Sequence, residues 1–213
     1  MKNMINVYTL NINNYFPEMM EITIPLIKKY ADKIGANFIE INRRKFPDWH
    51  IHYEKLQIYE LGKEADWNIF FDGDVLVHPD TPDFTKMGEY VFIKDGYRAN
   101  IKFTNPIILN DKRNQGISTC FISSPKQYHN IWKPLKCNPC VVDSQIIMSK
   151  ENLKIGINSD FYQDEFTLSF NLTLHKIEYS GIPNGYLFHS YKSNLKEEKL
   201  KELKEILSGF KEV

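Results

Sequence analysis

The chain has 213 residues, 42% of them apolar and 14% aromatic, enough to bury a core of its own, which excludes a mainly disordered protein. Lys+Arg and Asp+Glu both number 27, so the formal net charge is zero, without the basic excess that marks a nucleic-acid binder. No run approaches the ~20 apolar residues needed to span a bilayer, and MKNMINVYTLNINNYF lacks the apolar stretch and cleavage site of a secretory signal, so a cytoplasmic protein is expected.

Met4 to Leu10 (MINVYTL) is a β-rich run and is expected to form the first strand. Asn11 to Tyr15 is polar and turn-like. Pro17 to Ile34 spaces Met20, Ile24, Ile27 and Ala31 at helical intervals and stops at Gly35, which suits a helix C-terminus. Pro25 inside that segment is expected to kink or split it. Phe38 to Ile41 reads as the second strand, Tyr53 to Leu61 as a helix ended by Gly62, and Trp67 to Phe71 as the third strand. A β-α-β-α-β opening implies parallel strands joined by right-handed crossovers, with ligands collecting beyond the carboxyl ends of the strands.

Further on, the alternation weakens. Tyr90 to Lys94 and Gly116 to Ser123 look like strands, Pro125 to Trp132 and Asp143 to Asn152 like helices, and Leu172 to Tyr179 like another strand. Leu200, Leu203, Ile206, Leu207 and Phe210 share one face of a C-terminal amphipathic helix, expected to dock on the core. Cys120, Cys137 and Cys140 are an odd set, and the CNPC pair has neither a second pair nor spaced histidines after it, so incidental reduced thiols are expected. Asn171-Leu172-Thr173 matches a glycosylation sequon, but with no export signal it is read as sequence alone.

The chemistry concentrates in IFFDGDVL, residues 69–76, where an apolar run ends in two aspartates split by a glycine. An ionised carboxylate in an apolar interior costs several kcal/mol or more, and a second beside it adds repulsion, so a turn to solvent, a bound cation or a shared proton must offset them. At the carboxyl end of a strand, Asp72 and Asp74 offer hard oxygen donors suited to Mg²⁺ or Mn²⁺, with a diphosphate as companion, and Gly73 lets a ligand approach the backbone. The plain alternative is an Asp- and Gly-rich surface turn.

A hydrophobic strand ending in Asp-x-Asp after a nucleotide-binding half resembles the GT-A glycosyltransferases, whose fold is α/β with a mostly parallel central sheet flanked by helices. Members often carry a late histidine that completes the metal shell with a basic residue close behind, and LFHSYK supplies His189 and Lys192. Some retaining members carry an Asp-Gln element, and VVDSQII supplies Asp143 and Gln145, with Ser144 inserted. The compact, Lys/Asn/Ile-rich chain looks like the small glycosyltransferase domain at the N-terminus of a chlorella-virus protein. The resemblance covers most of the chain, but only DGD and HSYK are specific.

The resemblance implies one domain, with a nucleotide-binding half over about residues 1–75, a donor-sugar and acceptor half over 76–193 and a C-terminal helix over 194–213. It implies that Asp74 and His189 bind Mn²⁺ (or Mg²⁺) and that Asp72 binds the metal, the ribose or both. Thr9, Asn11 and Tyr15 would face the nucleoside of a UDP-sugar, Lys55 the donor, and Lys192 the diphosphate. Asp143 and Gln145 would lie near the transferred sugar and the hydroxyl of a glycan or glycoprotein acceptor. Arg98 is an unplaced cation for the same ligands. Each has a plainer alternative: a core histidine for His189, a solvated face for Lys192, a helix N-cap for Asp143, an exposed lysine for Lys55, a core ring for Tyr15. Two other functions share the motif. A haloacid-dehalogenase-like phosphatase ends a strand in Asp-x-Asp but continues Gly-Thr where Val75-Leu76 stands here, and a non-catalytic nucleotide-sugar-binding module needs the same pocket without turnover. Adjacent strand positions straddle a glycosidic bond poorly, which disfavours a glycosidase.

Overall fold

The computed structural model describes residues 3–13, 16–95, 117–135, 163–189 and 196–210. Six strands form one sheet in the order β2-β1-β3-β6-β5-β7, and a two-stranded sheet pairs β4 (Val75–Val77) with β8 (Leu187–His189). Strands β1 (Ile5–Leu10), β2 (Asn37–Ile41) and β3 (Trp67–Phe71) run parallel, as the opening alternation implied. Strand β6 (Ile117–Pro125) then pairs antiparallel with both β3 and β5 (Val91–Asp95), and β7 (Tyr179–Gly181) lies parallel to β5. Three of the five pairings are therefore parallel, so the sheet is mixed but mostly parallel.

Side chains alternate across these strands and build a core on each face. Val7, Ile69, Phe71 and Phe121 pack with Ile27, Tyr30 and Ala31 of helix α1 (Pro17–Ile34) and with Phe84. On the other face Tyr8, Phe70, Ile93 and Ile122 pack with Leu56, Ile58 and Trp132, and with Leu168 and Leu172 of helix α3 (Gln163–Leu174). The short α2 (Ile58–Leu61) continues a 3-10 segment, Ile51–Gln57. Helix α4 (Lys196–Ser208) docks through Leu203, fully buried, against Phe16, Met19 and Leu76. Among the described residues no helix is long and apolar enough to cross a membrane.

Several expectations change in detail. Pro25 does not split α1: Pro25 and Glu21, whose carbonyl loses its partner, both face solvent, which can supply the missing bond. Gly35 ends the helix at φ 70°, and the neighbouring Ala36 N–H donates to Ala31 O at 2.9 Å, closing the last turn. The segment 53–61 is 3-10 before it is α, and Lys126–Trp132 is also 3-10. Leu172 to Tyr179 is not a strand. Helix α3 runs to Leu174 because Leu168 and Leu172, four apart, enter the core together, and a turn with Lys176 at φ 51° leads on to β7. In this helix the Asn171 amide is buried and donates to Ile131 O and Lys133 O, both at 2.8 Å, which removes the sequon from the surface. Cys120 is buried, its thiol accepting from the Ser118 hydroxyl at 3.2 Å, and Cys137 and Cys140 lie outside the described residues.

Phe121 is fully buried, with its ring centroid 5.0 Å from that of Phe71 and 4.9 Å from that of Phe84. Phe121→Ala is expected to lower unfolding free energy by about 3–5 kcal/mol in urea titration. A loss below about 1 kcal/mol would mean that this layer does not carry the core.

Candidate active site

The apolar strand β3 ends at Phe71, and the next three residues form a turn at the sheet's carboxyl edge before β4 (Val75–Val77) begins. The Asp72 N–H donates to Cys120 O at 2.8 Å, and the Val75 N–H closes the turn on Asp72 O at 3.1 Å. A Cβ on Gly73 would stand 2.5 Å from Met20 Sδ and 3.0 Å from Leu10 O, so a side chain here would displace the Met20 thioether and press on the Leu10 carbonyl, and glycine lets α1 and β1 close on this turn. The Thr23 hydroxyl of α1 donates to Gly73 O, fixing the turn from beneath. The carboxylates therefore sit at the rim, partly sheltered, with side chains 23% (Asp72) and 21% (Asp74) exposed.

Strand β8 (Leu187–His189) pairs antiparallel with β4, placing His189 opposite Val75 and its Nε2 3.0 Å from Asp74 Oδ1. The pairing is extended by the His78 N–H on Tyr186 O (2.9 Å) and anchored by Lys94 Nζ on Leu187 O (2.9 Å). One ligand atom each from Asp72, Asp74 and His189 falls within 4.8 Å of the others. The fit to a divalent cation rests on the donor set: two carboxylates and one imidazole leave positions for water or phosphate oxygens, and the nitrogen favours Mn²⁺ over Mg²⁺. Burial alone would raise Asp74, but His189 and Lys199 outweigh it and hold the carboxyl well below the usual range, so it stands ionised. Burial pushes Asp72 the other way, Lys55 opposing and the charge of Asp74 adding to the rise. A cation shared by the pair would remove that conflict.

Behind the pair lies a second cluster. Lys55, 1% exposed, sends Nζ to Asp72 Oδ1 (3.2 Å), Asp164 Oδ2 (2.7 Å), Thr119 Oγ1 (3.0 Å) and Thr119 O (3.2 Å). Its segment is held by buried Glu54, which accepts from Arg44 Nε (2.7 Å), Lys45 N (2.8 Å) and Phe46 N (3.0 Å). Burial lowers an ammonium's pKa, but Asp164 and Asp72 more than reverse it and keep Lys55 charged. Asp164 also accepts from Thr119 Oγ1 at 2.6 Å; Lys55 overrides burial and lowers its pKa to about 2. Glu165 behaves oppositely: burial, then the charge of Asp164, raises it to about 8, with Lys55 opposing. Two adjacent carboxyls with separated pKa values are an arrangement that acid–base chemistry uses.

Thr9 and Asn11 lie at the carboxyl end of β1. Thr9 is fully buried, and Asn11 Nδ2 donates to Glu40 Oε2 at 3.2 Å. Thr9 Oγ1 and Asn11 Oδ1 are buried without a hydrogen-bond partner among the described residues, a cost that a polar ligand would relieve. The structure thus gathers Asp72, Asp74, His189 and Lys55, with Thr9 on the strand adjoining β3 and Asn11 just beyond its end. Tyr15, Arg98, Asp143, Gln145 and Lys192 lie outside the described residues. Sequence reasoning missed Asp164, Glu165 and Lys199. The only signal for the first two was an acidic pair opening a helix, which also suits the helix dipole. Lys199 is one of many lysines in KEEKLKELK.

Glu165 makes stability depend on pH. Its folded pKa of about 8 lies above the ordinary 4.5, so the folded state holds a proton that the unfolded chain has released. That contribution is complete below pH 4.5 and disappears as pH rises through 8. Between pH 5 and pH 8 the melting temperature of Glu165→Gln is therefore expected to rise relative to wild type; a constant difference would contradict the raised pKa.

No family model matches the chain, and no curated protein matches it in sequence. Its structure is similar to a solved one described as a glycosyltransferase involved in the glycosylation of the major capsid of PBCV-1, with a TM-score of 0.59 and 14% identity over 95% of this chain and 99% of that one. At that identity the likeness establishes the fold: a mixed α/β sheet flanked by helices, in the form that a glycosyltransferase also adopts.

Proposed function

We propose that the protein is a metal-dependent glycosyltransferase that moves a hexosyl group, of glucose or rhamnose type, from a UDP-sugar to a hydroxyl of a glycan or glycoprotein. The observation that carries this reading is the meeting of Asp72, Asp74 and His189 at the carboxyl edge of the sheet, where open α/β folds bind nucleotides. The fold shared with a glycosyltransferase supports it.

In this reading Asp74 and His189 hold the cation, and Asp72 reaches both the cation and the ribose. A divalent ion there supplies Lewis-acid stabilisation of the charge that builds on a departing diphosphate. Thr9 and Asn11 offer their unpaired oxygens to the nucleoside, with Tyr15 beside them, and Lys192 meets the diphosphate. The sugar C1–O bond to phosphate breaks and a C1–O bond to the acceptor forms. The acceptor's proton passes to a carboxylate if configuration inverts, or to the departing phosphate if it is retained. Asp143 and Gln145 are proposed on the acceptor side, and the inserted Asp-Ser-Gln element favours retention. Lys55 fixes Asp72 and Asp164 in place, a positioning role, since its four contacts leave it enclosed.

With Mn²⁺ present, UDP is expected to raise the melting temperature, by the equivalent of about 2.7 kcal/mol at a hundredfold excess over Kd. Asp74→Asn is expected to lose the metal-dependent part of that shift. An unaltered shift in the variant would overturn the assignment. Slow UDP release from a UDP-hexose distinguishes a transferase from a binding module, and phosphate release from a phosphomonoester would point to a phosphatase instead.

A further inference from the structure

Asp74 is approached by two groups. His189 takes Oδ1, and Lys199 of α4 donates to Oδ2 at 3.3 Å. The lysine is not there by the chance of a long exposed side chain: it is 23% exposed, and the helix that carries it is seated by Leu200, Leu203, Ile206, Leu207 and Phe210 against Phe16, Met19, Leu76 and Phe188. Leu203, four residues on, is fully buried, so the position of Lys199 over the rim is set by core packing. Phe188 belongs to that cluster and immediately precedes His189, so one apolar contact places both the imidazole and the ammonium on Asp74.

A divalent ion held by Asp74 and His189 would meet this ammonium at close range. Like charges repel, and Asp74 cannot serve both cations at full strength. Unlike Lys55, which is enclosed by Asp72, Asp164 and Thr119, Lys199 has Asp74 as the one carboxylate partner shown for it among the described residues. When a metal takes Asp74, the ammonium loses that carboxylate and gains a like-charged neighbour, a cost that another anion would offset. A diphosphate arriving with the metal supplies one; the metal alone does not.

We propose that Lys199 occupies Asp74 as a stand-in cation in the ligand-free protein, making metal and diphosphate binding mutually dependent. The lysine weakens binding of the bare ion and is released from that conflict when diphosphate oxygens enter. This rests on the transferase reading of the site but adds a property that the reading does not require: a lysine that competes with the ion for Asp74, so that part of the coupling between the two ligands belongs to Lys199. By linkage, the factor by which UDP tightens Mn²⁺ equals the factor by which Mn²⁺ tightens UDP.

The test measures Mn²⁺ binding by the loss of the free-ion electron paramagnetic resonance signal, with and without UDP, on wild type, Lys199→Met and Lys199→Arg. In Lys199→Met, bare Mn²⁺ is expected to bind about tenfold tighter, and the enhancement by UDP to fall by about the same factor, a size usual for coupling between two ligands. Lys199→Arg keeps the charge and is expected to behave as wild type. Bare-ion affinity in Lys199→Met that is unchanged or weaker, with wild type still binding Mn²⁺ and UDP together, overturns the stand-in role and leaves the transferase reading intact. A folded wild type that binds neither Mn²⁺ nor UDP overturns both.

Discussion

The antiparallel pairing of β4 with β8 ties the turn after β3 to a segment far along the chain. Val75 lies opposite His189, so the imidazole arrives beside Asp74 through backbone hydrogen bonding. The apolar residues of the two strands hold it there: Val75 and Leu187 enter the core beneath the sheet, while Leu76 and Phe188 meet α4. His189 sits on a strand and the two aspartates on a short turn held by strands at both ends, which keeps their mutual geometry, as a metal site requires. The buried cores, the Gly73 contact with Met20 and the docking of α4 all converge on this rim.

Two kinds of cation serve the carboxylates. Lys55 is internal and permanent, locked by Asp72, Asp164 and Thr119; removing it would leave buried charge uncompensated, a loss of about 3–5 kcal/mol. Lys199 is peripheral and replaceable, since its contact with Asp74 is longer and partly open to solvent. The inner ion pair maintains the shape of the site, and the outer one responds to what enters it. His189 touches the same carboxylate through its other oxygen, Oδ1.

The opening three strands were legible because local pattern and tertiary structure agree there: MINVYTL and WNIFF are short, mostly apolar, β-rich runs, and their parallel pairing follows from the helical segments between them. The Asp-Gly-Asp turn was legible because apolar flanks make two carboxylates costly anywhere but a rim. Leu172 to Tyr179 misled because LTLHKIEY intersperses apolar and polar residues like a strand while Leu168 and Leu172 satisfy helical spacing, and the core chose the helix. Asp164 gained its role only from Lys55, a partner far away in sequence, and β4 and β8 are three-residue strands below the reach of periodicity. Lys199 is distinguished from its neighbours by the docking of α4 alone.

One imidazole and two carboxylates, of His189, Asp74 and Asp72, are proposed to form a single cation site. Pulsed electron paramagnetic resonance on Mn²⁺ bound with UDP reads the metal's nitrogen ligands directly. The account predicts a directly coordinated nitrogen, modulating the echo in wild type and absent in His189→Ala. Bound Mn²⁺ with no nitrogen coupling in wild type, or with coupling that survives the substitution, would contradict it.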